Sequence, residues 1–348
     1  MKKVIITGVT GQDGSYMADY LLANTTHKIY GAVRRVSVKN HDNIAHLKGD
    51  PRFELIDLDV TDPINITGVI EKYKPDYFIN FAANSFVGNS WDMPVNHFQT
   101  NTMGVLYQLE AIRKYVPHCR YYNAGSSEEF GDVDYSPQDE DHPLKPRSPY
   151  GASKASARHI VKVYRESYHI YAVQGWLFNH ESERRGEEFV TRKITKGVAR
   201  IKKLLDQPKR KDIAPIFVGN ISARRDWSHA EDFVDGIWKM LNQVRPSPLE
   251  VEDYVLSSNE THSVKEFIEI AFECVNIFGV WESEGNENAT FRHRDRILVE
   301  IDPKFFRPAE VELLYGDSSC ARVELDWEPR VSFRELVERM VLHDCSLV

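Results

Sequence analysis

An apolar strand that runs straight into a glycine turn and out into a helix constrains this chain most. Lys3–Thr7 (KVIIT) leads into Gly8-Val9-Thr10-Gly11-Gln12-Asp13-Gly14, and a helical pattern follows. Glycines at such a turn let backbone N–H groups and the positive end of a helix approach a dinucleotide pyrophosphate with no Cβ in the way. The spacing is GxxGxxG, and its place after the first strand marks Gly8, Thr10, Gly11, Gln12, Asp13 and Gly14 as a cofactor-binding turn; the competing reading is a tight structural turn.

Short β-branched runs then alternate with longer helical ones: Ile29–Val33, Phe53–Ile56, Tyr77–Phe81 and Arg120–Asn123 read as strands, Tyr16–Ala23 as a helix. Strands spaced by helices predict right-handed βαβ units and a parallel sheet covered on both faces, an α/β doubly wound pattern. Trp91–Val116 reads as one long helix, and Ser148-Pro149 opens another that runs to about Tyr168. At 348 residues the chain exceeds what one core comfortably holds, so a second, smaller unit is expected. Leu205–Pro215 reads as an exposed loop, and the last third as mostly helical pattern broken by loops.

The charge balance, 44 Lys and Arg against 52 Asp and Glu, gives a net charge of −8. No whole-protein field draws this chain to nucleic acid or to an anionic membrane, so an anionic ligand must be met by local cations. No run approaches the roughly 18 apolar residues of a membrane span. Four widely spaced cysteines, Cys119, Cys274, Cys320 and Cys345, form no CxxC, which points to reduced thiols, a cytoplasmic setting and no structural metal.

Past the second strand stand Arg34 and Arg35, where many dinucleotide folds carry an acid for the ribose 2′-hydroxyl. Guanidinium groups suit a 2′-phosphate, so NADP is favoured over NAD; a solvated surface pair is the alternative. Asp59, after the third strand, is placed to reach the adenine or to cap a helix. Tyr150 and Lys154 are an i, i+4 pair on one helix face, and a lysine beside a tyrosine stabilises phenolate. Ser126 and Glu128, just past the fifth strand, share a side if the strand conformation persists. Ser126 can bind a substrate hydroxyl. Glu128 can abstract a proton α to a carbonyl, a task that simple alcohol oxidation does not require.

The segments TGVTGQDGSYMADYLL, VRR, GSSEEFG, RSPYGASK, LFNHESERRGEEFVTRKI, RRDWSHAEDFV and RPAEVELLYGDSS resemble the extended short-chain dehydrogenase/reductases, and within them the GDP-mannose 4,6-dehydratase family, over nearly the whole chain. That resemblance implies a Rossmann doubly wound parallel sheet, residues 1–180 with 220–253, and a smaller C-terminal α/β substrate-binding domain, residues 181–219 with 254–348. It implies tightly held NADP and a GDP-sugar substrate dehydrated through a 4-keto intermediate. Tyr150 is then the base at the C4 hydroxyl, Ser126 the holder of O4, Glu128 the acid–base at C5 and C6, and Lys154 the ribose contact.

By the same resemblance Val60, Phe81, Ala82, Ala83, Leu177, His180 and Arg185 line the cofactor, Arg185 alternatively meeting a phosphate across subunits. Ser85, Asn179, Val190, Lys193, Arg225, Arg307 and Glu310 line the substrate. The Arg34-Arg35 loop reaches a neighbouring subunit in relatives, which implies a homotetramer or homodimer. Departures lie near the sugar: Ser126 replaces a usual Thr, Asn84 a usual Gln, and Phe86 a common His. GDP-D-glycero-D-manno-heptose therefore stands as an alternative substrate to GDP-mannose, with a 4-epimerase or reductase as the more distant alternative.

Overall fold

The computed structural model describes residues 1–37, 40–207, 213–283, 288–306, 311 and 313–348. Seven parallel strands form the large sheet: β1 (Lys3–Thr7), β2 (Lys28–Val33), β3 (Phe53–Asp57), β4 (Tyr77–Asn80), β5 (Arg120–Ala124), β6 (Ala172–Leu177) and β7 (Val255–Leu256). Their spatial order is β7-β6-β5-β4-β1-β2-β3. The order reverses between β1 and β4, and ligands of such sheets sit at the carboxyl ends of the strands beside that switch. β7 lies just beyond residue 253, so the chain's excursion into the sheet runs past the limit expected from sequence.

Alternation along β1 decides which helices cover which face. Val4 and Ile6 pack with α1 (Gln12–Asn24) and helix Ala230–Met240, while Ile5 packs with α2 (Pro63–Tyr73), α3 (Gly104–Tyr115) and α4 (Pro149–Tyr168). Local chemistry sets the helix starts. Asp62 accepts from the N–H groups of Ile64 and Asn65 ahead of α2, and Ser148 accepts from Gly151 ahead of α4, with Pro63 and Pro149 in the first turns. The long helix expected over 91–116 begins at Pro94 and passes through a π-helical turn, Gln99–Met103, before α3.

The second unit has its own core. Helices Val190–Leu205, Val264–Glu273 and Phe333–Ser346 pack around a four-stranded sheet ordered Val280–Glu282, Thr290–His293, Arg296–Ile301, Ile216–Val218. The last third is thus less helical than its sequence pattern suggests. Its hairpin turn holds Arg294 at φ 57, a left-handed conformation with no glycine or asparagine to announce it. Of the expected 205–215 loop, residues 208–212 lie outside the described residues.

Candidate active site

The glycine turn is fitted against the neighbouring strand end. Gly8 has φ +67, and a Cβ there would come within 2.9 Å of Ala82 N, while one on Gly14 would come within 2.3 Å of the Gly8 carbonyl oxygen. Both positions therefore demand glycine for the close approach of α1 to β1 and β4. A Cβ on Gly11 would meet only Gly8 O, at 3.2 Å, which leaves the ligand-facing side open. The Gln12 side chain turns away from that side: its Nε2 donates to His180 O (3.0 Å) and its Oε1 accepts from Ser182 Oγ (2.8 Å). Only its backbone N–H remains for a phosphate.

Asp13 pairs with His180, Oδ2 to Nε2 at 3.1 Å. Burial opposes its charge, but His180 and the Gln12 amide outweigh burial and hold the carboxyl down at about 2. Arg34 and Arg35 follow β2 at the carboxyl edge, exposed and in no ion pair with a described residue. Asp59 follows β3 and uses Oδ1 to accept from Thr61 N (2.9 Å) and Thr61 Oγ1 (2.7 Å), while Asp62 caps α2. The Val60 side chain is buried in the core on the Ile5 face of the sheet, and its carbonyl lies against Gly104.

From this edge a cleft of about 540 Å³ runs between the two units. It is lined by Asp13, Phe81, Ala83, Ser85, Ser126, Glu128, Tyr150, Lys154, Leu177, Asn179, His180, Arg185, Val190, Lys193 and Arg225. Gly8, Thr10, Gly11, Gln12, Gly14, Arg34, Arg35, Asp59, Val60 and Ala82 lie outside that lining. Arg307 and Glu310 lie outside the described residues.

Ser126 and Glu128 are not on a continued strand. β5 ends at Ala124, and Ser126 caps a 3-10 turn, Ser127–Glu129, accepting the Glu128 N–H at 3.2 Å. Glu128 stands half-buried at the cleft wall. Tyr150, 7% exposed, is pushed above its ordinary pKa by burial and further by Glu128 and Glu129, while the facing Ser126 hydroxyl and the Arg185 cation pull it down. Lys154 Nζ lies 5.9 Å from the Tyr150 ring centroid and donates to Ala124 O at 2.8 Å. Burial lowers the Lys154 ammonium to about 8, against the pull of Glu129 and Asp13. A buried tyrosine, a buried lysine held at about 8, a hydroxyl donor and a carboxylate thus share one wall, an arrangement able to oxidise an alcohol and move a neighbouring proton.

Across the cleft, Phe86, Arg185 and Lys193 are joined by three aromatic residues that the sequence did not single out, Phe189, Phe305 and Phe306. Phe86 meets Phe189 edge to face at 5.9 Å, and Arg185 lies 3.6 Å from the Phe189 ring centroid. Lys193 Nζ sits 3.2 Å from the Phe305 ring centroid, and burial with the Lys304 charge lowers it to about 8. Phe305 and Phe306, each 40% exposed, form apolar wall beside these cations. The FF pair was the only signal of them, and aromatic pairs are more often core.

A family model described as GDP-mannose 4,6 dehydratase matches residues 5–340. The chain belongs to this family. It is 42% identical to GDP-mannose 4,6 dehydratase of Drosophila melanogaster, covering 100% of this chain and 87% of that one. It is 40% identical to GDP-mannose 4,6-dehydratase of Vibrio cholerae (99% and 94% covered) and to the Homo sapiens enzyme of the same name (99% and 91%). In shape it is similar to dTDP-glucose 4,6-dehydratase of Bacillus anthracis, with a TM-score of 0.78, 20% identity, and 99% and 96% coverage. UDP-glucuronic acid 4-epimerase of Bacillus cereus gives a TM-score of 0.80 at 21% identity, covering 99% and 100%. At such identities the likeness concerns the fold, and membership of the GDP-mannose 4,6 dehydratase family rests on the sequence relatives.

Within this family member, Asn84 acts as a brace. Its N–H donates to Asn101 Oδ1 (2.9 Å) and its Nδ2 to Thr100 Oγ1 (3.2 Å), tying the Phe81–Phe86 segment to the π-helical turn. Among the described residues no helix is long and apolar enough to cross a membrane.

Proposed function

We propose that this protein is a GDP-mannose 4,6-dehydratase, a hydro-lyase that converts GDP-mannose to GDP-4-keto-6-deoxymannose and water with NADP held throughout. The observation that carries the reading is Glu128 in one cleft with Ser126, Tyr150 and Lys154. A C4 epimerase needs the last three alone.

The residues fit the cofactor. The glycine turn leaves an open face at Gly11, Arg34 and Arg35 stand ready for a 2′-phosphate, and the turn abuts Phe81 and Ala82. Bound NADP supplies a hydride acceptor at C4 and, later, a donor at C6. The Ser126 hydroxyl binds O4 while the Tyr150 phenolate takes the C4 hydroxyl proton. Lys154, protonated below about pH 8, favours that phenolate. The C4 ketone acidifies C5–H, and the Glu128 carboxylate removes that proton. The same carboxyl then protonates the C6 hydroxyl, which leaves as water, and once C6 is reduced the proton that Tyr150 took from O4 goes to C5, which keeps the C4 ketone and closes the proton balance.

For the nucleotide sugar, Asn179 presents a buried Oδ1 with no partner, and Arg225 and Lys193 supply local positive charge to a chain of net −8. Val190, Arg307 and Glu310 enter by family resemblance, as do homotetramer or homodimer assembly and a cytoplasmic setting. The test is mass and NMR analysis of products from GDP-mannose and GDP-manno-heptose in parallel, with and without added NADP. Loss of one water and a C4 ketone from GDP-mannose is expected. Turnover of the heptose alone moves the substrate and keeps the mechanism, and dehydration of neither overturns the reading.

A further inference from the structure

Behind the reacting groups runs a line of buried polar side chains that these steps do not use. Thr7, Asn80, Asn123 and Gln174 are direct register partners on β1, β4, β5 and β6. They are hydrogen-bonded in that order: Thr7 Oγ1 to Asn80 Oδ1 (2.6 Å), Asn80 Nδ2 to Asn123 Oδ1 (2.7 Å) and Asn123 Nδ2 to Gln174 Oε1 (2.6 Å). Thr7 Oγ1 also accepts the Ala82 N–H at 3.2 Å, so one end of the line holds the strand end beside the glycine turn.

The other end is Glu129. This carboxylate is fully buried, and three donors converge on it: Ser126 N (2.8 Å) and Gln174 Nε2 (3.1 Å) at Oε1, and Arg158 Nε (2.6 Å) at Oε2. Arg158 is itself held by Gln174 O and by Asp253, which Arg165 shares. The packing is built around the pair: a Cβ on Gly125 would come within 2.7 Å of Glu129 Oε1 and 2.8 Å of an Arg158 nitrogen. A hydrophobic residue of similar volume commonly stabilises a core as well as a buried ion pair does, so stability alone gives little reason for an acid here.

We infer that Glu129 is a positioning residue of the dehydratase: its carboxylate fixes the turn that carries Ser126 and Glu128, and ties that turn across four strands to the cofactor edge. It rests on the dehydratase reading above. Among the described residues Ser126 N–H is the only backbone donor on Glu129, so this bond sets where the Ser126 hydroxyl and the Glu128 carboxylate point. Glu129 also works through charge. Lys154 is faced by Asp13 from α1 and by Glu129, and both keep its ammonium protonated against burial. Tyr150 is faced by Ser126, Glu128, Glu129 and Arg185. Arg158, Arg165 and Asp253 complete the charges around Glu129 itself.

Glu129→Gln keeps the shape and spoils the accounting of donors, because one amide oxygen cannot serve three donors that reach two atoms. For the holoenzyme we expect kcat to fall about 10²-fold, the scale of a misplacement near 1 Å, with KM for GDP-mannose within about threefold. The alkaline limb of kcat/KM moves to lower pH, since Lys154 loses one of the charges that hold its proton. The double variant Glu129→Gln/Arg158→Met also removes the buried cation, which Glu129→Gln alone leaves sharing Asp253 with Arg165. It should regain the melting temperature and NADP affinity of the wild type while kcat stays low. Recovery of kcat together with melting temperature overturns the inference, and so does a pH profile unmoved in Glu129→Gln; either makes Glu129 a mere counter-ion of Arg158. A wild type that dehydrates neither sugar overturns the dehydratase reading itself, a result separable from both.

Discussion

The polar groups around Ser126 and Lys154 already have protein partners, whereas those across the cleft are held in uneasy surroundings. Ser126 N–H is bonded to Glu129 and Lys154 Nζ to Ala124 O. Across the cleft Lys193 rests on the Phe305 ring close to a second lysine, and further along the lining Asn179, just past β6, buries an oxygen that no described donor reaches. The difference separates two tasks. Groups that meet developing charge lose least when they are fixed before reaction. Groups that capture a ligand gain most when the ligand relieves an unfavourable environment, and the proposed nucleotide side has that character around Lys193 and Asn179.

Breaking the catalytic side should have the largest effect. Glu128→Gln is expected to lower dehydration about 10³-fold while C4 oxidation persists, seen as NADPH absorbance that rises on adding sugar and does not decay. Dehydration at the wild-type rate in that variant would remove Glu128 from the reaction. Breaking the nucleotide side should act on affinity instead. Lys193→Met should raise KM for GDP-mannose about tenfold, worth about 1.4 kcal/mol, and leave kcat nearly unchanged. Because the Lys193 ammonium is held at about 8, wild-type affinity for GDP should fall as pH rises through that value and level off above it; calorimetric titration shows whether Lys193→Met abolishes the step.

At the cofactor edge, replacing Arg34 and Arg35 by Ala should weaken NADP about tenfold and leave NAD unchanged, since only one of them carries the 2′-phosphate. Equal loss for both would mean that the pair does not read the phosphate. The smallest effect belongs to the Asp13–His180 pair, which closes the floor of the cleft. Asp13 sits at about 2 against an ordinary 3.8, so it contributes stability above pH 3.8 and loses it as pH falls toward 2. His180 is raised above 6.5, so its contribution is full below 6.5 and is lost as pH rises past its folded value. Melting temperature of Asp13→Asn should therefore lie a few degrees low near pH 5 and converge with the wild type near pH 2.

The sheet was legible because its signals are local. Apolar β-branched runs, the glycine turn and Pro149 after Ser148 each act within a few residues, and β1 to β5 lie within a residue or two of where the pattern puts them. The hairpin Thr290–Ile301 was hidden because its turn is made of charged residues and its strands alternate only weakly. Tyr150, Lys154, Ser126 and Glu128 could be named from spacing, and the cleft contains them all. The part played by Glu129 could not. Two adjacent glutamates look alike in sequence, and only the end of β5 at Ala124 and the 3-10 turn after it send one to the cleft and the other into the core.

The route of the chain has a consequence for ancestry. It leaves the large sheet for helix Val190–Leu205, returns for Ala230–Met240 and β7, leaves again for Val264–Glu273, comes back to bury Ala321 and Trp327 in the first core, and ends in Phe333–Ser346. No single splice point parts the halves. A single crossover in such a chain cannot exchange one half intact, because every joint cuts through segments that both cores share.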